Sequence, residues 1–174
     1  MDPNWAQITT AAGAAVTASA AVLALRQLWE ARHARMAQTL VDWHDAWNRE
    51  LRAEKVAFAR ASSDELRTLV RDIYAGKLDV KSLTDLFTVE CIPNWLEGIA
   101  ILQREHGVPL SLIERYWGGV IADLWGKWQP AAQELRSHEN LAYRELEELV
   151  ERLRKRNLRR DTLRSLVGLP PNGG

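Results

Sequence analysis

The hydrophobic residues of this chain follow a helical pattern from one end to the other. The N-terminal run from Ile8 to Leu25 contains no charged residue and is rich in alanine and threonine. After it, large apolar side chains recur at steps of three and four, which places them on one face of a helix. The first such stripe consists of Met36, Leu40, Trp43, Trp47 and Leu51. No segment shows the period of two that is typical of strands, so the pattern predicts an all-α protein.

The first apolar run predicts a transmembrane helix over residues 5–26. A span of ~20 residues crosses a ~30 Å hydrocarbon layer. Trp5 and Trp29 flank the run at a separation of about 36 Å along a helix, close to that of the two interfacial tryptophan belts. Basic residues begin at Arg26 and follow the run, whereas MDPN precedes it. The positive-inside rule therefore predicts a single-pass protein of the inner membrane, with its N-terminus outside and its C-terminal domain in the cytoplasm.

The same run is poor in large aliphatic side chains, which favours contact between helices. Gly13 and Thr17 form a small-xxx-small pair, and small residues let helix backbones approach closely. We therefore expect a homo-oligomer assembled through this helix. The alternative is a soluble scaffold protein, whose alanine-rich first helix serves assembly and never meets lipid.

The helical pattern of residues 27–160 predicts a cytoplasmic bundle of four to five helices. A short helix and a flexible tail are expected over residues 161–174. No residue between Leu25 and Arg60 breaks a helix, so one continuous helix is expected there. Ser62 is typical of a helix start and Gly76 of a helix end. The next helix is expected from about Ser82 to His106, ending at Gly107.

Two further helices complete the predicted bundle. Ser111 and Glu114 have the spacing of a capping box that opens a helix towards His138, and the last helix is expected over about 139–159. Pro93 and Pro130 are expected to kink or break their helices. The predicted core includes Leu86, Phe87, Trp117, Trp125, Leu146 and Leu149.

Composition excludes several classes of protein. The chain has 174 residues, 47% of them hydrophobic, and 23 basic residues balance 23 acidic ones. Dominant disorder is excluded, and bulk nucleic-acid binding is not favoured. The single cysteine, Cys91, excludes a disulfide framework and a multi-cysteine zinc site. The Glu-x-x-His pattern of di-iron bundles occurs once, at Glu30 and His33, so we expect neither a metal nor another cofactor.

Catalysis is not favoured, because no catalytic pattern is complete. Metal-independent helical ribonucleases use an arginine followed by a histidine after four to six residues. Arg26 and His33 match that spacing but fall at the predicted membrane interface. His138 comes too soon after Arg136, so these two residues are only weak catalytic candidates. An RNA-binding or RNA-cleaving helical domain remains the alternative function.

Two polar groups of residues could form binding surfaces. Arg136, Asn140, Tyr143 and Glu147 follow approximately helical spacing. They predict either a cluster that binds a ligand or protein partner, or a hydrogen-bond network that sets helix register. The second group is a basic surface near the C-terminus, which suits anionic lipid, RNA phosphates or a solvated helix end. It consists of Arg152, Arg154, Lys155, Arg156, Arg159 and Arg160.

The stretch from PNWLEGIAILQREHG to ELVERLRKR, together with the N-terminal RQLWEARHARMAQ, resembles a bacterial family of uncharacterised, short, membrane-anchored helical proteins. More remotely, the architecture is similar to the membrane accessory proteins of RNA-targeting CRISPR systems, which form pores. The resemblance implies anchoring, self-assembly and a role as an antiviral or stress effector. The arginine-histidine motif of those accessory proteins is missing here, since Arg136 has no correctly spaced histidine. The resemblance therefore does not imply nuclease activity.

Overall fold

The computed structural model describes the backbone of residues 3–77 and 79–166 and the side chains of residues 19–77 and 79–161. Every regular element in these ranges is an α-helix, which confirms the all-α class. The six helices in chain order are α1 (Pro3–Glu50), α2 (Arg52–Arg60), α3 (Ser63–Tyr74), α4 (Val80–His106), α5 (Leu110–Arg136) and α6 (Arg144–Leu166). The chain divides into two compact units, Met1–Leu40 and Val41–Gly174.

The first unit is the N-terminal part of α1, and its backbone is helical throughout the predicted span. The described side chains begin at Ser19, so Trp5, Gly13 and Thr17 lie outside them. Every described side chain from residue 19 to residue 32 is exposed. Over the residues that the structure describes, no helix combines the length and apolarity needed to cross a membrane.

The second unit is a bundle in which α4 and α5 are the central helices. The α4 helix packs against α2, α3, α5 and α6, while α5 also packs against α3 and α6. Three tryptophans of α5, Trp117, Trp125 and Trp128, are each 1% exposed. Trp47 of α1 meets Trp117 edge-on, with ring centroids 5.4 Å apart. The tryptophans therefore form a large part of the hydrophobic core of this unit.

Several predicted helix boundaries are confirmed by their capping contacts. Ser62 is the N-cap of α3: its hydroxyl accepts from the Glu65 N–H at 3.2 Å, and the Glu65 carboxylate accepts from the Ser62 N–H at 2.6 Å. This capping box satisfies two backbone donors that a helix start otherwise leaves open. Gly76 and Gly107 follow the ends of α3 and α4 with φ of 75° and 65°, a backbone conformation that glycine adopts without a steric penalty.

Other predicted boundaries are wrong. Helix α1 ends at Glu50, and buried Leu51 is the N-cap of α2, although neither glycine nor proline marks the break. Conversely, α4 and α5 continue through Pro93 and Pro130, so neither proline breaks its helix, and a kink at either position stays a prediction. Proline lacks the N–H group that would donate a hydrogen bond within the helix. Ile92 and Leu96, on either side of Pro93, are buried, and their packing keeps α4 continuous.

Two further corrections concern α5 and the core. Helix α5 begins at Leu110 with Pro109 as its N-cap, so the predicted capping box of Ser111 and Glu114 does not form. Phe87 is 64% exposed and is not part of the core. The buried stripe of α4 runs through Leu86, and Phe87 lies about 100° further round the helix.

Candidate functional site

The predicted polar cluster lies where α5 turns back into α6, and it is not built on one helix. Helix α5 ends at Arg136 and α6 begins at Arg144, with turns between them. The expectations of a helix starting near residue 139 and of one shared helical face are therefore wrong. Tyr143 adopts φ of 56°, the left-handed conformation, and serves as the last residue before α6. Non-glycine residues adopt this conformation infrequently, and here it closes the turn between α5 and α6.

Arg136 closes this turn with its guanidinium group. Its Nε donates to the Ala142 carbonyl at 2.8 Å, and its Nη2 donates to the Tyr143 carbonyl at 3.2 Å. Its Nη1 donates to Glu147 Oε2 at 2.6 Å, and the side chain of Arg136 is 23% exposed. The structure thus brings together three of the four predicted residues. Arg136 contacts the side chain of Glu147 and the backbone carbonyl of Tyr143. The fourth residue, Asn140, lies in the turn and is exposed.

The side chain of Tyr143 extends from this turn to α4. Its hydroxyl lies 2.6 Å from Asn94 Oδ1 and 3.0 Å from Glu90 Oε1, and its one proton can be donated to either acceptor. Its ring meets Trp128 edge-on with centroids 5.6 Å apart. Burial, together with the nearby Glu90 carboxylate, raises the pKa of the Tyr143 hydroxyl above its ordinary range. Tyr143 is therefore a neutral hydrogen-bond donor that ties α6 to α4.

Glu97 of α4 caps the start of α6, a contact that sequence analysis did not predict. Its carboxylate accepts from the Leu146 N–H at 2.7 Å and from the Glu145 N–H at 3.3 Å. A negative charge at a helix N-terminus is favourable, because the backbone N–H groups there carry partial positive charge. Burial raises the pKa of the Glu97 carboxyl, while these two bonds and the Arg136 charge lower it in part. No local sequence signal could have paired residues so distant along the chain.

His138 lies beside this junction and stacks on Tyr74. Their ring centroids are 4.2 Å apart and the planes are nearly parallel, at 4°. The Tyr74 hydroxyl donates to Glu139 Oε1 at 2.5 Å, and this bond, with a smaller effect of burial, raises the pKa of Tyr74 to about 12. Since the Arg136 guanidinium bonds within its own turn and His138 stacks on Tyr74, the arrangement suits a structural junction better than a catalytic pair. In the described part of the chain, no cluster of His, Cys, Asp or Glu could hold a metal ion.

The basic surface of α6 is partly neutralised within the chain. Arg156 and Arg160 both bind Glu114, at 2.8 Å and 3.1 Å. Arg152 donates to Gln103 at 2.6 Å, and Lys155 lies 3.5 Å from Glu151. Arg154 and Arg159 form no ion pair with any residue that the structure describes. The outward charge of α6 is therefore smaller than the count of basic residues indicates.

Of the predicted membrane and assembly residues, Arg26 and Trp29 lie among the described side chains, and both are exposed. Trp29 is 60% exposed, and its ring lies 3.8 Å from that of His33. Arg26 forms an ion pair with Glu30 at 2.9 Å, on the same face of the helix. Surface pairs of this kind contribute little to stability, so the pair with Glu30 holds the Arg26 side chain only weakly.

We expect Glu90→Gln to increase stability relative to the native chain as the pH rises. Burial raises the pKa of Glu90 above the ordinary value of 4.5, so the folded protein holds this proton more tightly than the unfolded chain. Ionisation of the Glu90 carboxyl therefore lowers the free energy of unfolding. This loss grows as the pH rises from 4.5 through the raised pKa of Glu90. Glutamine removes this loss and still accepts from Tyr143.

Urea unfolding of both proteins at several pH values from 4 to 8 checks this expectation. The difference in free energy of unfolding should grow through that window and then level off. A difference that shrinks with pH would contradict the assignment of Glu90.

Comparison with known proteins gives one match. The family model described as Domain of unknown function (DUF4760) matches residues 14–153. No curated protein and no solved structure matches significantly. The family description names no activity, so the similarity to pore-forming accessory proteins remains a prediction. The match covers most of α1, all of α2 to α5 and the first half of α6, and the chain belongs to the DUF4760 family.

Proposed function

We propose that this protein is a membrane-anchored helical protein that self-assembles, with α1 as the anchor and the second unit as a cytoplasmic domain. The observation that carries the proposal is a group of large apolar side chains on α1 that remain uncovered. They are between 59% and 68% exposed. The group consists of Val22, Leu23, Leu25, Leu28 and Trp29.

The direction of these side chains favours lipid as part of their cover. At about 100° per residue they point to several sides of the helix, and not along one stripe. A helix that is apolar on all sides is typical of a membrane span or of a fully enclosed core. The uncharged run that precedes them, from Ile8, extends the same composition towards the N-terminus. The arginines that begin at Arg26 support an orientation with the second unit in the cytoplasm.

Self-assembly is supported by the small residues of the same helix. Alanine, glycine and threonine dominate the run from Ile8 to Leu25, and a lone helix of this composition inserts only marginally. Contacts between copies would bury the small-residue faces, because small residues let helix backbones approach closely. In this proposal the assembled anchors form or accompany a pore, which is the setting in which an antiviral or stress effector would act.

Removal of residues 1–25 is expected to move the protein from the membrane fraction to the soluble fraction. Alkaline carbonate fractionation of the full chain beside the truncated chain measures this directly. The full chain should pellet with membranes, and the truncated chain should remain in the supernatant. A matched control is the full chain with Val56→Ala, a change at an exposed apolar residue of α2 that should leave the fractionation unaltered.

If both chains are soluble, the membrane proposal is wrong and α1 is an assembly helix of a scaffold protein. In that case the full chain should still sediment as an oligomer and the truncated chain as a smaller species. For a chain that does pellet, dye release from vesicles of bacterial lipid tests whether its assemblies permeabilise a bilayer. Loss of dye retention with the full chain alone would support the pore.

A further inference from the structure

A groove opens on the second unit between α2, α3 and α4. Its volume is about 330 Å³, within the range of binding pockets. The walls are largely apolar, with Ala61 directly after α2, Leu69 from α3 and Val89 from α4. Two carboxylates, Glu65 and Asp85, line the groove, and no basic side chain does. A complementary occupant therefore presents an apolar side chain flanked by positive charge.

The far end of α6 presents such a surface. Residues 154–161 are all exposed, and Leu158 is exposed by 68% of its area. Arg154 and Lys155 lie four and three residues before Leu158, which places them on the same face of the helix. Arg156 faces inward to Glu114, and Leu158 lies about 200° round the helix from it. Lys155 and Leu158 thus point away from their own bundle, and exposed Arg154 lies at the edge of this face, beside Gly118 of α5. We call this apolar and basic face the α6 tip (residues 154–158).

The α6 tip and the groove lie at opposite ends of the second unit. The start of α6 is capped by Glu97, and Arg152 bonds to Gln103, so α6 runs alongside α4 towards the end of α4. The groove lies near Asp85, at the start of α4. Asp85 and Gln103 are separated by about 27 Å along the helix. The α6 tip therefore cannot reach the groove of its own chain, and a second copy is needed to bring the two together.

We propose that the α6 tip of one copy docks in the groove of a second copy. Leu158 enters between the apolar walls, and Arg154 and Lys155 lie beside Asp85 and Glu65. The contact is head-to-tail, so repetition produces a ring or a filament and not a closed pair. This inference rests on the proposed self-assembly, and adds a cytoplasmic contact to the one made by the anchor.

Cysteine crosslinking between two differently tagged full-length copies tests the contact. Both copies carry Cys91→Ser, because Cys91 is free and exposed. One copy carries Ala61→Cys and the other Leu158→Cys, and mild oxidation joins them only across a contact between copies. The control pair combines Leu158→Cys with Gly126→Cys, since Gly126 is an exposed position of α5 with open space around it. We expect the first pair to yield far more crosslinked dimer than the control.

Exchange of charges between the groove and the α6 tip then tests whether the tip is what fills the groove. Asp85→Arg and Arg154→Asp should each lower the yield at least about fivefold, because like charges then face each other. Combining Asp85→Arg in one copy with Arg154→Asp in the other should restore it. If a small cation or another protein fills the groove, the combination restores nothing and the proposal is overturned.

Fractionation and crosslinking together distinguish failure of the groove contact from failure of the membrane anchor. If the chain is soluble on fractionation and the first pair still crosslinks, the groove contact stands and the anchor is wrong. If the chain pellets with membranes and the first pair yields no more than the control, the groove contact is wrong and the anchor stands.

Discussion

Replacement of Gly98 by valine is expected to destabilise the second unit by about 3 kcal/mol. A Cβ atom at Gly98 would lie 2.7 Å from Cη2 and 3.0 Å from Cζ3 of Trp43, closer than packed carbon atoms approach. Movement of the Trp43 ring would also disturb its packing against Trp95, whose ring centroid lies 5.1 Å away. Gly98 is thus the residue that lets the end of α1 approach α4.

Gly126→Val is the matched control, since it makes the same change in a helix where nothing lies within 4 Å of the new Cβ. Valine has a slightly better helix propensity than glycine, so this variant should be as stable as the native chain or more so. Urea unfolding followed by tryptophan fluorescence measures both variants. Equal stability of the two would mean that Trp43 does not pack on Gly98.

Replacement of Arg136 by methionine is expected to cost about 3 kcal/mol, at the lower end of the cost of breaking a buried ion pair. The change leaves the carbonyls of Ala142 and Tyr143 without their guanidinium donors and leaves the Glu147 carboxylate without its partner. Methionine has a similar length and keeps most of the packing of the arginine stem, so the loss reports the polar contacts.

Arg144→Met is the control for this second variant. Arg144 pairs with Glu148 at 3.1 Å on the surface, and its side chain is 62% exposed. Its loss should therefore cost less than about 0.5 kcal/mol. Arg136→Lys should fall between the two, because an ammonium group keeps the charge but cannot span two carbonyls and a carboxylate. If Arg136→Met were as mild as Arg144→Met, the turn would be held by Tyr143 and Glu97 without Arg136.

The Arg136→Met variant also bears on assembly, because the Arg136 side chain holds the turn at which α6 begins. If the turn loosens, Glu97 loses the N–H groups that it caps and the direction of α6 is no longer set. The α6 tip would then be displaced relative to the groove of a neighbouring copy. Crosslinking between Ala61→Cys and Leu158→Cys should accordingly fall in Arg136→Met at temperatures where the protein remains folded.

Local signals predicted much of the fold, and they failed where a tertiary contact decided the outcome. Ser62, Gly76 and Gly107 mark helix ends because each satisfies a backbone requirement within a few residues. The break at Leu51 has no such local cause, since it depends on the burial of that side chain. The continuity of α4 through Pro93 is likewise a result of packing on both sides.

The candidate site shows the same division. The residue types Arg136, Tyr143 and Glu147 were recognised as a polar group, but the helical spacing used to connect them was wrong. They meet because the chain turns between α5 and α6, and no local motif predicted the left-handed backbone of Tyr143 that closes this turn. The cap from Glu97 and the acidic groove at Asp85 were not foreseen either.

The sequence by itself determined the helical class, the uncharged N-terminal run and most of the helix-ending residues, because period, charge and capping act over a few residues. Only the tertiary structure decided how α6 is held and which carboxylates line the groove. Those features join residues that are tens of positions apart, and their contact depends on the packing of α4 between its neighbours. A pattern along the chain carries no record of such distances, since packing in three dimensions sets them.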